Sequence, residues 1–395
     1  MSDLTALGLV LVGLYLSECL VVARRGAVVL RLPFFFGGAN AAPPSKAMGN
    51  GNVGLGLLNP LPPFGRVYVV EPWPFVCDPR YVVAAQATSL WMDGRPQQSG
   101  KRLAWADVKN VGVIDKDVRV DGVDFVRCTS PAHARAVADV LKQLAGVPDD
   151  ERDAAITAAV TASLDIVEAR RRVDAHAKKG RALLVATVAC FAAFFVVTPL
   201  MIHKEGVERW FVWLALIYLW VITSAVLAFF AHRSLQPAAK GERWMSLLLS
   251  LPAPTVAIRG NDKLGRYLLA GLHPVVGALV TMQGHRRRDV VGALLRDLRM
   301  PKLPTLPVDD DVSRGVEAAF RARVAVAAEA VAGAEGVDVA AVFVAPGRTP
   351  LFCPRCLVGY TKGEGCSDCG GIPLVKREAV PTPAASTSTT PTVSG

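Results

Sequence analysis

Four cysteines in the C-terminal part of the chain are the residues whose type and spacing most clearly predict chemistry. They form two Cys-x-x-Cys pairs, Cys353 with Cys356 and Cys366 with Cys369, and nine residues separate the pairs. Each pair suits a tight turn that directs two sulfurs at one ion, and four thiolates complete a tetrahedral Zn²⁺ site. Because four protein ligands leave no position for water, we expect this metal to be structural.

The segment that carries these cysteines, CPRC…CSDCGG, resembles a zinc ribbon, and the resemblance extends over residues 352–374. Pro354 restricts the first turn, while Gly370 and Gly371 permit the positive φ that lets backbone amides face the sulfurs. Leu357 departs from the family pattern, in which a glycine often follows the first pair. Disulfides are disfavoured in a reducing cytosol, and a thioredoxin-like pair needs a βαβ framework that the sequence lacks. Iron in a rubredoxin-like site remains the alternative, since tetrahedral thiolates admit either metal.

The rest of the chain offers little that predicts catalysis. It contains no phosphate loop, G-x-S-x-G, H-E-x-x-H or dinucleotide fingerprint. Its six histidines do not cluster, and we interpret His273, on an apolar stretch, as a core residue. We therefore predict that the protein is not an enzyme. The remaining cysteines are scattered and are predicted to be small buried residues: Cys19, Cys77, Cys128 and Cys190.

Apolar residues make up 52% of the chain and are concentrated in a few segments. Two uncharged stretches, 182–202 and 210–231, are each long enough to cross about 30 Å of hydrocarbon as a helix. The seven residues between them predict a tight antiparallel hairpin. A third apolar stretch, 4–22, lacks the basic region of a signal peptide, so we interpret it as an uncleaved membrane anchor.

Basic residues beside these stretches predict the orientation, because they accumulate on the cytosolic side of membrane proteins. They follow the stretch 4–22, precede 182–202 and follow 210–231: Arg24, Arg25, Arg31, Arg170, Arg171, Arg172, Lys178, Lys179, Arg181, Arg233, Lys240 and Arg243. We therefore expect a multi-pass protein of the cell membrane, with 24–181 and 233–395 in the cytosol. The net charge of +10 mainly reflects this topology, although anionic lipid headgroups could also bind such clusters.

Short β-rich pieces from Arg66 onward, with a turn at Asp121-Gly122, precede a helix that Ser130 and Pro131 open. RLAWADVKNV, the Asp-Gly turn and SPAHARAVADVLKQL resemble a bacterial pleckstrin-homology-like domain, which implies a small barrel capped by a helix and used for binding. Another small α+β domain is the alternative. We expect 66–146 to fold alone; the competing view joins it to membrane-apposed segments at 244–283.

The predicted fold class is a multidomain membrane protein with about three transmembrane α-helices, a cytosolic α+β domain and a small β zinc ribbon. The segments 244–283 are too short for normal spans, so we expect buried or membrane-apposed helices, with a re-entrant pair as the alternative. The predicted segments are an N-terminal transmembrane anchor (1–23), a Gly/Pro-rich linker (24–64), the α+β domain (65–147), a juxtamembrane helix (148–180), a transmembrane helical hairpin (181–232), a membrane-proximal cytosolic region (233–310), a helix (311–345), the zinc ribbon (346–375) and a disordered tail (376–395).

Two classes of function fit this organisation. The first is an integral membrane scaffold or regulatory protein whose cytosolic ribbon binds protein partners. The second is a membrane-tethered nucleic-acid-binding or transcription-associated factor, for which the ribbon should present basic and aromatic residues together. The ribbon mixes such residues with acidic ones, which favours protein binding: Arg355, Tyr360, Lys362, Lys376 and Arg377 against Glu364, Asp368 and Glu378.

Overall fold

The computed structural model describes residues 3–21, 28–32, 57–58, 66–84, 101–128, 130–206, 208, 210–235, 240–251, 254–260, 264–265, 268–299, 310–344, 349–367 and 372–377. Most of the predicted linker, the tail from residue 378 and the fourth predicted ligand, Cys369, lie outside these ranges.

The described chain mixes helices and strands. Its helices are α1 (Asp3–Cys19), α2 (Pro131–Ala145), α3 (Arg152–Ser163), α4 (Ile166–Ala192), α5 (Thr198–Glu205), α6 (Trp210–Leu235), α7 (Lys240–Ser250), α8 (Pro254–Ile258), α9 (Pro274–Thr281), α10 (Gly284–Arg299), α11 (Asp311–Ala334) and α12 (Val339–Val342). Its strands are β1 (Leu20–Val21), β2 (Val28–Leu32), β3 (Leu57–Leu58), β4 (Arg66–Val70), β5 (Phe75–Cys77), β6 (Tyr81–Ala84), β7 (Arg102–Ala104), β8 (Val111–Ile114), β9 (Asp117–Val120), β10 (Val123–Arg127), β11 (Leu351–Phe352), β12 (Gly359–Tyr360), β13 (Gly365–Cys366), β14 (Ile372–Pro373) and β15 (Val375–Lys376).

Two three-stranded antiparallel sheets, ordered β5-β6-β7 and β10-β9-β8, form the β-rich region, and α2 packs on β8 and β9. The predicted turn joins β9 to β10, because Val120 pairs with Val123 and the two residues between them, Asp121 and Gly122, have positive φ. The predicted start of α2 is also confirmed, since the Ser130 hydroxyl oxygen accepts a hydrogen bond from the His133 backbone N–H. Local sequence signals therefore fix these elements.

The β-rich region shares one hydrophobic core with segments far from it in sequence. Strand β2, inside the predicted linker, pairs along its whole length with β4. Helix α9 closes on this pair so tightly that a Cβ at Gly277 would lie 2.7 Å from Val70 Cγ2. Side chains from α10 and α11 join the same core, including the buried Leu295 and Phe320. In the described structure, 66–146 is thus one part of a larger unit with a shared core. This unit, which we call the body hereafter, comprises strands β2 and β4–β10 and helices α2, α3 and α9–α12.

The polar stretch before the first apolar segment forms two helices instead of the single predicted one. At the start of α3 no side chain caps the helix, and the Asp149 carboxylate pairs with Arg152. The chain breaks after α3, and Asp165 begins α4 by accepting a hydrogen bond from the Glu168 N–H, at 2.9 Å. Beyond this break Val167 is 72% exposed, whereas Ile156 on α3 is buried.

Two helical regions of the described chain, Arg152–Glu205 and Leu214–Leu235, are long and apolar enough to cross a membrane. From Ile166 onward the first region is one continuous helix, made of α4, a π-helical turn over Ala193–Val197 and α5. This helix extends away from the body. Helix α6 returns beside it, and Leu183 packs with Ala231. Helix α1 is shorter, and its Tyr15 packs edge-on against aromatic rings of the first region.

Candidate metal centre

The structure brings together three of the four predicted ligands. The sulfurs of Cys353, Cys356 and Cys366 all lie within 4.8 Å of one another, and the Cys356 and Cys366 sulfurs are 3.7 Å apart. Cys353 and Cys366 are buried, whereas Cys356 is half-buried. Soft thiolate donors at this spacing fit a tetrahedral metal ion with one further ligand.

The first cysteine pair lies in a turn at the end of β11. The Cys353 N–H donates to the Val358 carbonyl at 3.0 Å, and the Leu357 N–H donates to the Cys353 carbonyl at 2.8 Å. Leu357 closes this turn with φ +60°, in the left-handed region that glycine occupies most readily. The departure from the ribbon pattern seen in the sequence therefore leaves the turn intact, at a strain of about 1 kcal/mol.

The second pair begins on a separate two-stranded sheet. Cys366, on β13, pairs with Ile372 on β14, and the Leu374 N–H donates to the Glu364 carbonyl at 3.0 Å. The Tyr360 hydroxyl, on strand β12 of a different sheet, donates to the Cys366 sulfur at 3.1 Å. Such a hydrogen bond orients a ligating sulfur and disperses its charge when a metal is bound.

A three-stranded sheet, ordered β12-β11-β15, supports the first turn. Its strands approach the preceding loop so closely that a Cβ at Gly359 would lie 1.9 Å from the Thr349 hydroxyl oxygen. The Arg377 Nε donates to the Thr349 carbonyl, and its guanidinium lies over the Phe352 ring. We call residues 349–377 the ribbon hereafter.

Without a cation the Cys356 thiol holds its proton at neutral pH. Burial, together with the nearby Cys353 sulfur, raises the pKa of Cys356 to about 11. A bound divalent cation reverses this preference, because a coordinating thiol is deprotonated outright. Metal binding at this cluster should therefore release protons and strengthen as the pH rises.

The ribbon docks on α10 through charged groups, of which the sequence analysis named Arg355 but not its partners on α10. The Arg355 guanidinium lies 3.0 Å from the Asp297 carboxylate. Arg296 donates from Nε to the Arg355 carbonyl at 2.9 Å and from Nη1 to the Val342 carbonyl at 2.7 Å. Burial lowers the pKa of Arg296. No local sequence signal predicts this pairing, because the partners are about sixty residues apart.

Two further sequence predictions concern isolated residues. His273 was predicted to be a core residue; it is half-buried, and its Nδ1 accepts a hydrogen bond from the Val275 N–H at the start of α9. Cys77, Cys128 and Cys190 are buried, as predicted, and none of them joins the ribbon cluster.

Comparison with known proteins adds no relative: no protein-family model, no curated protein and no solved structure matches this chain significantly. Its function therefore has to be inferred from its own residues.

Proposed function

We propose that this chain is an integral membrane scaffold or regulatory protein whose cytosolic ribbon, built around structural zinc, binds a protein partner. The proposal has three parts: the membrane, the metal and the partner. The surface of the ribbon supports the proposed protein partner, because two of its basic side chains bind within the fold while apolar side chains face outward.

The membrane part rests on how little of the apolar helices is covered. In the most apolar stretch of each candidate span, 28% of the residues are buried inside the structure. A core helix of a soluble protein would be mostly buried. Large apolar side chains on these helices are 58–65% exposed: Val185, Leu200, Phe211, Leu219 and Phe230. A surface of this kind suits hydrocarbon.

The basic residues support the proposed orientation. Lys179 and Arg233 lie at the end of the span helices next to the body, where Lys179 bonds to Ser234. Because basic residues favour the cytosolic side, the body and the ribbon should lie in the cytosol. A reducing compartment keeps the ribbon thiols available for a metal. Zinc is the metal we propose, with Cys369 as the fourth thiolate that closes the tetrahedron.

The partner part rests on what the ribbon leaves accessible. Arg355 is in an ion pair with Asp297, and Arg377 donates to a carbonyl of the ribbon itself. Lys362 and Lys376 are exposed, which is a small basic surface for a nucleic acid. Apolar Val358 and Val375 are each 44% exposed on the same ribbon. This mixture favours a protein partner over a nucleic acid.

Site-specific photocrosslinking in intact cells tests this function. A photoreactive amino acid at Val358 of the full-length chain should give a discrete protein adduct that Cys366→Ser abolishes. Val123, which is 46% exposed on the body, is the matched control position and should give no such adduct.

The nature of the adduct decides between the two classes of function. An adduct removed by protease but not by nuclease supports the scaffold. An adduct removed by nuclease supports the nucleic-acid-binding alternative, and the absence of any adduct at Val358 contradicts both.

A further inference from the structure

The described residues 240–251 and 254–260 form a short helical hairpin against α6, with α7 going in one direction and α8 returning. Its fifteen central residues, 244–258, carry no charge, while Arg243 and Arg259 flank them. This stretch is too short to cross a bilayer, even as one uninterrupted helix. We call residues 240–260 the short hairpin hereafter.

Contacts with α6 show how far the short hairpin extends along that helix. Near its beginning, the centroid of the Trp244 ring lies 4.9 Å from the centroid of the Phe229 ring. At its turn, the Leu251 carbonyl accepts a hydrogen bond from the Tyr218 hydroxyl at 3.0 Å. The short hairpin therefore enters beside the basic end of α6 and turns at Tyr218, past the middle of that helix.

The returning arm retraces the same path. The Ala257 carbonyl accepts from the Ser224 hydroxyl at 3.0 Å, and a Cβ at Gly260 would lie 3.2 Å from the Ala228 Cβ. Ile258 and Ala257 are buried in one cluster with Cys190, a residue inside the apolar part of α4. Both ends of the short hairpin thus lie on the side of the body.

The depth of the turn follows from helix geometry. Tyr218 precedes Arg233 by fifteen residues, which is about 22 Å along a helix at 1.5 Å per residue. The hydrocarbon layer is about 30 Å thick. If α6 spans the membrane, the turn at Leu251 lies well inside that layer and does not reach the far side.

Hydroxyl groups of α6 serve backbone atoms that such a turn exposes. Irregular backbone at membrane depth is tolerated where protein groups satisfy it. Tyr218 and Ser224 each donate to a carbonyl of the short hairpin, whereas the Thr223 hydroxyl donates to Leu219 of its own helix. Two of the polar residues inside this apolar span, Tyr218 and Ser224, are therefore explained by the segment that packs on it.

The face of α7 that points away from the protein is apolar. The polar Arg243 and Ser250 of this helix are buried against the protein. Its large apolar side chains are 46–59% exposed: Trp244, Met245, Leu248 and Leu249. A helix at a water-exposed surface has the opposite arrangement. The apolar face is continuous with the exposed apolar side chains of α6, because Trp244 contacts Phe229 next to the 58% exposed Phe230.

We infer that the short hairpin is a re-entrant membrane element, whose α7 face is in contact with the hydrocarbon of the bilayer. This inference rests on the membrane part of the proposed function. It assigns the occupant of the α7 face as lipid tails, and it makes Tyr218 and Ser224 the groups that hold the turn in place.

Spin-label accessibility in proteoliposomes tests the inference with three matched positions on the full-length chain. Leu248→Cys probes the short hairpin, Leu219→Cys probes the proposed span α6, and Val326→Cys probes the body; their native side chains are 59%, 61% and 64% exposed. Collision with oxygen reports lipid, and collision with a water-soluble nickel complex reports water. The unsubstituted chain, labelled in parallel, gives the background.

We expect the Leu248 label to match Leu219, with at least a tenfold higher ratio of oxygen to nickel collisions than Val326. A Leu248 label that matches Val326, while Leu219 reports lipid, overturns the re-entrant element and leaves the proposed membrane protein intact. A Leu219 label that reports water overturns both. Low collision with both probes at Leu248 means that another protein surface covers α7, which also overturns the inference.

Substitutions in α6 give a second test that does not depend on labels at α7. With a spin label at Leu248, Tyr218→Phe combined with Ser224→Ala should loosen the turn and at least double the nickel collision rate. Thr223→Val is the matched control, because its hydroxyl bonds within its own helix, and it should leave the rate unchanged. An equal effect of both variants contradicts the role of the two hydroxyls.

Discussion

At the scale of single residues, the ribbon brings together three sulfur atoms that could hold a metal ion. Cys366 is buried, accepts a hydrogen bond from Tyr360 and lies within 4.8 Å of two other thiols. Structural zinc contributes on the order of 10 kcal/mol of folding free energy in small modules of this kind. The loss of one thiolate should therefore unfold the ribbon locally.

We predict that purified protein carries one zinc per chain and that Cys366→Ser loses most of it. The matched control is Cys128→Ala, which changes a buried cysteine outside the cluster and should leave the metal content unchanged. Elemental analysis for zinc and iron measures both. Freshly prepared protein without either metal would contradict the prediction, and iron alone would identify a rubredoxin-like site.

We predict that the stability of the protein depends on pH through His273. Burial lowers the pKa of His273 from 6.5 to about 4, so the folded state favours the neutral imidazole that accepts from Val275. The unfolded chain binds a proton near pH 6.5 and the folded chain does not. Stability should therefore be complete above pH 6.5 and decrease by on the order of 3 kcal/mol as the pH falls to 4.

Replacement by asparagine isolates this effect. His273→Asn keeps a side-chain acceptor at the start of α9 and removes the proton-binding group. Denaturant unfolding of the detergent-solubilised protein between pH 7 and 4 should show a smaller loss for the variant. Since burial also lowers the pKa of His133, the variant should keep part of the acid sensitivity. Equal losses in both proteins would refute the role of His273.

At the scale of elements, α2 covers the β8-β9-β10 sheet with one buried face. Leu141 is buried in the shared core, whereas the neighbouring Lys142 is exposed on the same helix. We predict that Leu141→Asp destabilises the full-length protein by at least about 3 kcal/mol, because it places an unpaired charge in the core. Lys142→Asp should change stability by less than about 1 kcal/mol in the same denaturant titration. Similar values for the two variants would mean that this face of α2 is not buried.

The shared core changes the expectation for an isolated fragment. The sequence predicted that 66–146 folds alone, but Tyr68 and Val70 on β4 are buried by β2 and α9 in the described structure. We therefore predict that the fragment 66–146 melts without cooperativity by circular dichroism. A sharp cooperative melt of that fragment would restore the independent domain.

Elements were predictable from sequence where their signals are local. Asp121 and Gly122 form the expected turn, and Ser130 caps the expected helix. The cysteine spacing correctly predicted a cluster, because a Cys-x-x-Cys turn directs its own sulfurs. Contacts between distant segments were not predictable, since neither the β2–β4 pairing nor the ion pair of Arg355 with Asp297 leaves a local pattern.

The whole molecule is organised along the helix that extends from Ile166 to Glu205. Near the body, Arg172 on this helix donates to the carbonyls of Leu268 and Ala270, which precede the core helix α9. Further along, the same helix becomes apolar and exposed. In the proposed function, this helix holds the body and the ribbon at the membrane surface on the cytosolic side.

Thiol labelling of intact cells tests this arrangement most directly. Lys204→Cys lies in the exposed last turn of α5, at the end of the span helices far from the body, and avoids the positive φ of Gly206. Val326→Cys is exposed on α11 of the body. An impermeant maleimide should label Lys204→Cys in intact cells and should label Val326→Cys only after the membrane is permeabilised. Labelling of Val326→Cys but not Lys204→Cys in intact cells, or recovery of the protein without the membrane fraction, would contradict the account.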